Sequence, residues 1–407
     1  MNKENQKLSI RWIYMAIGVI SMLFAGVLYA WSILKSPLSL EFGWGASELA
    51  LNFTIAMTFF CVGGLLGARI SKRIGHRIAL VVSGVLSALG FMLTALLQSG
   101  SVWMLYITYG VLAGLGIGIA YNVVIATVSG WFPDKKGLCS GYLMMGFGAS
   151  ALILGNMADA MFKSSLGWRY TYMVLGVAIF TVITLSGFLL KKPNADVVFP
   201  QAKAKKNANA QEFKQQEFTP LQMLCRPSFW MAFICISLLA AVGSSVISFT
   251  KDMALSVNAT ETLAVSLVGV LSVCNGIGRI LTGAVFDAIG RGKTMLCANI
   301  LTICAAGVTL LAVTVCSLPL CIIGLCLTGM SYGACPTVTA AFTSSFFGMK
   351  HFSSNMALMT FTVMVGSFIA TASNKVLEIT GGYPATFMML LALTCVALVL
   401  NIFIRKP

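Results

Sequence analysis

Apolar residues run along this chain in long blocks broken by short polar stretches. A helix needs about 20 apolar residues to cross ~30 Å of hydrocarbon. Twelve blocks meet that length: 11–34, 46–70, 78–98, 102–130, 138–162, 168–190, 227–250, 262–286, 294–316, 318–346, 353–379 and 384–404. The pattern predicts an all-α membrane protein of twelve transmembrane helices. The longest polar interruption, 191–226, holds six lysines and Arg226 together with Asp196, Glu212 and Glu217. It reads as a cytoplasmic linker carrying a short amphipathic helix. It divides the chain into an N-terminal six-helix bundle, 1–190, and a C-terminal six-helix bundle, 227–407.

Composition agrees with a lipid environment. Of 407 residues 58% are hydrophobic and 10% charged, against about 25% charged in an average soluble domain. Mean hydropathy is +0.90. Too little polar surface exists to cover a globule in water, which excludes a soluble enzyme. The net charge of +15 would suggest nucleic acid in a soluble protein. Here its placement decides: with the N-terminus inside, 21 of the 27 Lys and Arg fall in inner segments and five in outer ones. This asymmetry places both termini in the cytoplasm, in the cell (inner) membrane, and removes nucleic acid as a partner. The lipid bilayer is the expected surrounding. Twelve cysteines lie scattered with no C-x-x-C pair, and only His76 and His351 accompany them. No metal site, disulfide framework or cofactor is expected. The first apolar block is too long for a signal peptide and reads as a helix.

The two halves repeat each other at a constant shift of 215 residues. Arg11 falls on Arg226, Gly75 on Gly290, Gly114 on Gly329, Gly118 on Gly333, and Thr171-Tyr172-Met173 on Thr386-Phe387-Met388. A gapless register over such a length makes two pseudo-symmetric bundles in parallel orientation.

One cation, Arg279, remains inside the lipid span. It lies eight residues before Asp287, so roughly 12 Å in from the helix end. An ionised Arg near a helix centre costs about 2.5–3.5 kcal/mol to insert, and such a residue normally faces a wet cavity. Ser272, Asn275 and Arg279 form one polar stripe at helical spacing. A guanidinium fork matches a carboxylate bidentately, so Arg279 is the candidate anion-binding residue and Asn275 its orienting neighbour. Aromatics at Tyr29, Tyr121 and Tyr332 are placed to wall the cavity. Glycine ladders in the fourth and tenth spans allow close helix approach. Asp159, Lys163, Lys375 and Glu378 sit near outer helix ends, where solvation is easy, and Lys375 and Glu378 are spaced to pair. Glu48 reads as a helix-start charge. No acid stands out to carry a co-transported proton.

Short motifs extend the reading. The loop Gly283-x-x-x-Asp287-Ala288-Ile289-Gly290-Arg291-x-Lys293 resembles the charged loop of the major facilitator superfamily, with Ala288 in place of a base. Its repeat mate runs Ala68-x-x-x-Lys72-Arg73-Ile74-Gly75-His76-Arg77, where Lys72 replaces the acid. The resemblance implies the major facilitator fold and a gating latch of Asp287, Gly290, Arg291, Gly75 and Arg77; a solvated basic loop is the plainer alternative. Leu28-Tyr29-Ala30-Trp31-Ser32, Trp131-Phe132-Pro133-Asp134-Lys135-Lys136-Gly137 and Asn275-Gly276-Ile277-Gly278-Arg279 resemble the oxalate/formate antiporter family and its monocarboxylate-porter relatives. That similarity implies that Arg279 grips a substrate carboxylate at midplane between the halves. It also admits a co-transported proton and a monomer. Oxalate-exchanging members place a second cation, Lys, in helix 11; the stretch Met359–Met364 has none. A single fixed positive charge favours a monocarboxylate such as lactate, pyruvate or formate. The alternatives are an oxalate or other dicarboxylate antiporter and a non-transporting membrane anion sensor. No nucleophile–base pair suggests an enzyme.

Overall fold

A computed structural model describes residues 3–98, 101–132, 136–193, 217–289, 291–348 and 351–404. Eleven helices are long and apolar enough to cross a membrane. They are α1 (Ile10–Phe42), α2 (Ala46–Arg73), α3 (His76–Ala95), α4 (Val102–Ser129), α5 (Gly141–Phe162), α6 (Gly167–Leu189), α7 (Pro227–Ser256), α8 (Glu261–Phe286), α9 (Gly292–Thr314), α10 (Leu318–Phe347) and α12 (Tyr383–Phe403). The remaining rod is broken at Thr360 into Phe352–Met359 and α11 (Phe361–Thr380). The fold is therefore the expected one of twelve helices. Among its described residues the polar interruption carries a short helix, Pro220–Leu224, begun by a capping box of Thr219 and Gln222.

Local chemistry sets the helix ends. Glu48 accepts a hydrogen bond from the Gly45 backbone N–H at 2.9 Å, the helix-start role expected of it. Prolines open α7, α10 and α12 in the first turn, where a missing N–H costs nothing. Gly43 and Gly381 close helices at positive φ.

Packing repeats between the halves. In the first, α1 packs on α5, α2 and α3 on α4, and α3 on α6. In the second, α7 packs on α11, α8 and α9 on α10, and α9 on α12. The 215-residue shift survives at atomic level. A Cβ on Gly118 would overlap the carbonyl oxygen of Phe60, and one on Gly333 would overlap that of Asn275, its repeat mate. Only glycine lets α2 meet α4, and α8 meet α10, this closely. Between halves, α2 meets α11 and α5 meets α8.

Candidate functional site

The site is built where the straight helices are disturbed. Tyr29 rides on a tight 3₁₀ segment, Gly26–Ala30, inside α1. A Cβ on Gly26 would overlap the Phe147 carbonyl oxygen, so α1 lies hard against α5 there. Tyr332 fits over Gly243 of α7, where any larger side chain would strike its ring. Arg279 sits one turn after Asn275 on α8, whose backbone is fixed against α10 by Gly333.

These residues converge on a cavity of about 1150 Å³ between the halves. Tyr29, Tyr121, Arg279 and Tyr332 line it, and Asn275 lies directly behind Arg279. The Arg279 Nε donates to Asn275 Oδ1 at 3.3 Å, and Nη1 donates to the Tyr121 hydroxyl at 3.4 Å and to the Met144 sulfur. The Tyr121 hydroxyl also donates to that sulfur at 3.3 Å. Arg279 thus belongs to the second half while two of its partners belong to the first. The Tyr29 and Tyr332 rings stand 6.2 Å apart across the same boundary. Phe60, Tyr121 and Phe147 complete an edge-to-face aromatic wall. Among the described lining residues Arg279 is the one cation, and none is acidic. The repeat mate of Arg279 is Gly64, which also lines the cavity, so pseudo-symmetry supplies space rather than a second charge.

The lining runs from Tyr29 and Met57 at mid-depth to Leu65, Tyr142, Phe286 and Met356. The latter lie toward the face where α1 begins and α12 ends, here termed the terminal face. The cavity opens on that side. The opposite face is closed by contacts between halves. Lys35 of α1 pairs with Asp252 of α7 at 2.8 Å, and Asp159 of α5 with Lys251 of α7 at 3.6 Å. Lys163 reaches Glu261 at 3.4 Å. Glu378 of α11 accepts from the Ser47 N–H at the start of α2, 2.6 Å away, and pairs with Lys375 at 3.1 Å. Below these, Thr54 meets Thr371 at 2.8 Å and Asn156 meets Ser266 at 3.4 Å. Lys163 stands outside the spans, and its hydrogen bond to Asp159 raises its pKa above the ordinary lysine value.

This closure corrects one expectation. Asp159 was expected to be readily solvated at a helix end, yet it is 8% exposed, and Lys35 and Lys251 are 5% and 6% exposed. The reason is that these charges pair across the boundary between the halves, just past a kink of α7 at Phe249, with φ −133° and ψ 16°. Opposite charges at neighbouring positions were the only signal in the sequence, and it does not say which pairs form. Met144 carried no signal at all. Of the expected latch residues, Gly75 adopts φ +98° before α3 and Arg77 is exposed. Gly290 and the side chains of Asp287 and Arg291 lie outside the described residues.

Comparison with known proteins follows the same lines. The sequence profile described as Major Facilitator Superfamily matches residues 14–371 and 233–407. An uncharacterized MFS-type transporter, YhjX, of Escherichia coli (strain K12) is 25% identical over 358 residues, covering 88% of this chain and 86% of that protein. The oxalate:formate antiporter of Oxalobacter formigenes is 29% identical over 294 residues, covering 70% and 65%. Monocarboxylate transporter 12 of Xenopus laevis is 22% identical over 338 residues, covering 80% and 73%. The crystal structure of the nucleoside transporter NupG superposes with a TM-score of 0.71 at 13% identity, over 97% of this chain and all of that one. That last likeness speaks for the fold alone.

Proposed function

The chain belongs to the Major Facilitator Superfamily, a multi-pass membrane transporter, and from that premise we propose that it carries small monocarboxylates such as lactate, pyruvate or formate by alternating access. One observation carries this reading: a single guanidinium, Arg279, faces a cavity between the halves whose described lining holds no acid. A half-buried guanidinium with no acid beside it is an anion site in waiting, and one carboxylate neutralises it with bidentate geometry. Met144 and Tyr121 occupy two of its donors. An arriving carboxylate replaces the weak thioether acceptor with a charged one.

Transport then follows from where the halves touch. With the basic segments in the cytoplasm, the cavity is open inward and the Lys35–Asp252 and Asp159–Lys251 pairs seal the outside. Rocking of 1–190 against 227–407 separates those pairs and brings the terminal ends together. The loops bearing Gly75, Arg77, Asp287, Gly290 and Arg291 are the elements proposed to hold that second state. The protein acts as a monomer in the cell (inner) membrane. The described cavity lining offers no carboxylate for a co-transported proton.

Exchange of oxalate or another dicarboxylate is the second reading, favoured by the similarity to the oxalate:formate antiporter. Arg279 as the single cation among the described lining residues weighs against it. Uptake into proteoliposomes tests both. Arg279→Ala should abolish carboxylate uptake while leaving membrane insertion intact, and uptake retained at the wild-type rate would reject the site. Oxalate outcompeting lactate, pyruvate and formate in counterflow would favour the second reading.

A further inference from the structure

The end of the polar linker is built into the second half. Phe218 is only 6% exposed. Its N–H donates to the Phe347 carbonyl oxygen at the end of α10 at 3.1 Å, and its own carbonyl oxygen accepts from Asn355 Nδ2 at 3.0 Å. Its ring stands edge-to-face to Phe347 with centroids 5.6 Å apart, and the Arg226 guanidinium lies 5.2 Å from its centroid. The repeat shows what is unusual here. In the first half Arg11, the mate of Arg226, lies 5.1 Å over Phe132, the mate of Phe347, and the ring beside them is Trp12 of the same helix. The mate of Trp12 is Pro227, so the second half takes its ring from the linker instead. Asn355 belongs to the rod Phe352–Met359, which the break at Thr360 parts from α11. That break has no counterpart in the first half, where the matching helix, Lys136–Ser150, runs on through Met145, the mate of Thr360. At the break the Thr360 hydroxyl donates back to the Met356 carbonyl oxygen at 2.9 Å, a bond that often bends helices. The Thr360 carbonyl oxygen accepts from the Val363 N–H at 3.1 Å and from the Cys61 thiol of α2 at 3.8 Å.

We propose that Phe218 and Asn355 are positioning residues for transport: Phe218, on the linker, is a clasp that holds the rod Phe352–Met359 open, and the rod swings about Thr360 when the terminal face closes. This rests on the alternating-access reading. Met356 and Thr360 line the open cavity, so the rod forms part of its rim. A rod joined to α11 by a bent turn rather than a continuous hydrogen-bond ladder can change its angle while α11 stays in place. Its angle is then fixed by what it touches at the other end, and there Asn355 ties it to the linker. Phe218 gathers three elements at one point: α10 through its N–H, the rod through its carbonyl oxygen, and the start of α7 through Arg226. Neither Phe218 nor Asn355 lines the cavity, so both act on the mouth without touching the cargo. The break and the linker ring occur together in the second half and are both replaced in the first, as expected if one serves the other.

The test is a distance measured inside the second half, in proteoliposomes of the full chain with the exposed native cysteines replaced. Spin labels on Leu221→Cys, 76% exposed on the short helix, and Met356→Cys, on the rod, report the angle between linker and rod. A major and a minor distance are expected. Phe218→Ala should enlarge the minor population about three- to tenfold relative to the major one, the scale of an edge-to-face ring contact. Phe218→Trp, which keeps a ring, should restore the original ratio, and Asn355→Ala should enlarge the minor population about two- to tenfold, the scale of one hydrogen bond. One distance common to the wild type and both alanine variants would overturn the proposal, since the second half then moves as a rigid body. Alternating access is read separately, from labels at the far face on Leu40→Cys and Ile379→Cys. A far face that opens leaves that reading standing whatever the rod does, and one fixed far-face distance with and without pyruvate rejects it. Should Phe218→Ala fail to insert, Asn355→Ala carries the comparison. Should neither insert, the wild type with and without pyruvate decides, a single unchanged distance between linker and rod overturning the clasp.

Discussion

Loosening the closed face should change which way the molecule opens, and Asp252→Asn is the sharpest perturbation. Lys35 Nζ lies 2.8 Å from Asp252 Oδ2, with the lysine side chain 6% exposed and the aspartate 45% exposed. A fully exposed pair of this kind contributes about 0.2–1 kcal/mol, while stranding a fully buried charge costs about 3–5 kcal/mol. This pair is half screened, so the loss lies between, at about 1–2 kcal/mol. The pair joins the two halves and must separate when the far face opens. Its loss therefore lowers the stability of the closed-face state alone, shifting the ratio of states by about 5- to 30-fold. Spin labels on Leu40→Cys and Ile379→Cys, exposed positions near the far ends of α1 and α11, report the distance between halves. The background must have the exposed native cysteines replaced. Double electron–electron resonance should show a longer-distance population growing in Asp252→Asn. Adding Lys35→Gln removes the stranded charge and should return part of that population, closing a double-mutant cycle. Identical distance distributions in wild type and Asp252→Asn would refute the claim that these charges latch the far face.

Two other outcomes test the packing and the direction of opening. Gly333→Val should destabilise the protein by about 1–3 kcal/mol or more, because its Cβ would overlap the Asn275 carbonyl oxygen; an unchanged thermal midpoint in detergent would contradict the close α8–α10 approach. Tyr142, half exposed at the terminal end of the cavity, should as Tyr142→Cys react with a membrane-impermeant thiol reagent in inside-out vesicles. Reaction only in right-side-out vesicles would reverse the proposed orientation.

The architecture was legible in the sequence. Twelve apolar blocks and the 215-residue register follow from requirements that act locally. Spans must match the bilayer, backbone groups must bond within their own helix, and helix contacts need small residues at fixed spacing. Arg279 was legible for the same reason, since a charge in a lipid span stands out against its neighbours. So were the capping role of Glu48 and the spacing of Lys375 and Glu378. Partners across the half boundary were not legible. Nothing in the sequence pairs Lys35 with Asp252 or sets the Met144 sulfur against a guanidinium, because those contacts join helices more than 100 residues apart. Nor does local propensity announce the kink at Phe249 or the 3₁₀ turn before Trp31 that lie beside them. Which face is closed and which charges are buried follow only from how the helices of the two halves pack, since each depends on contacts between residues far apart in the chain.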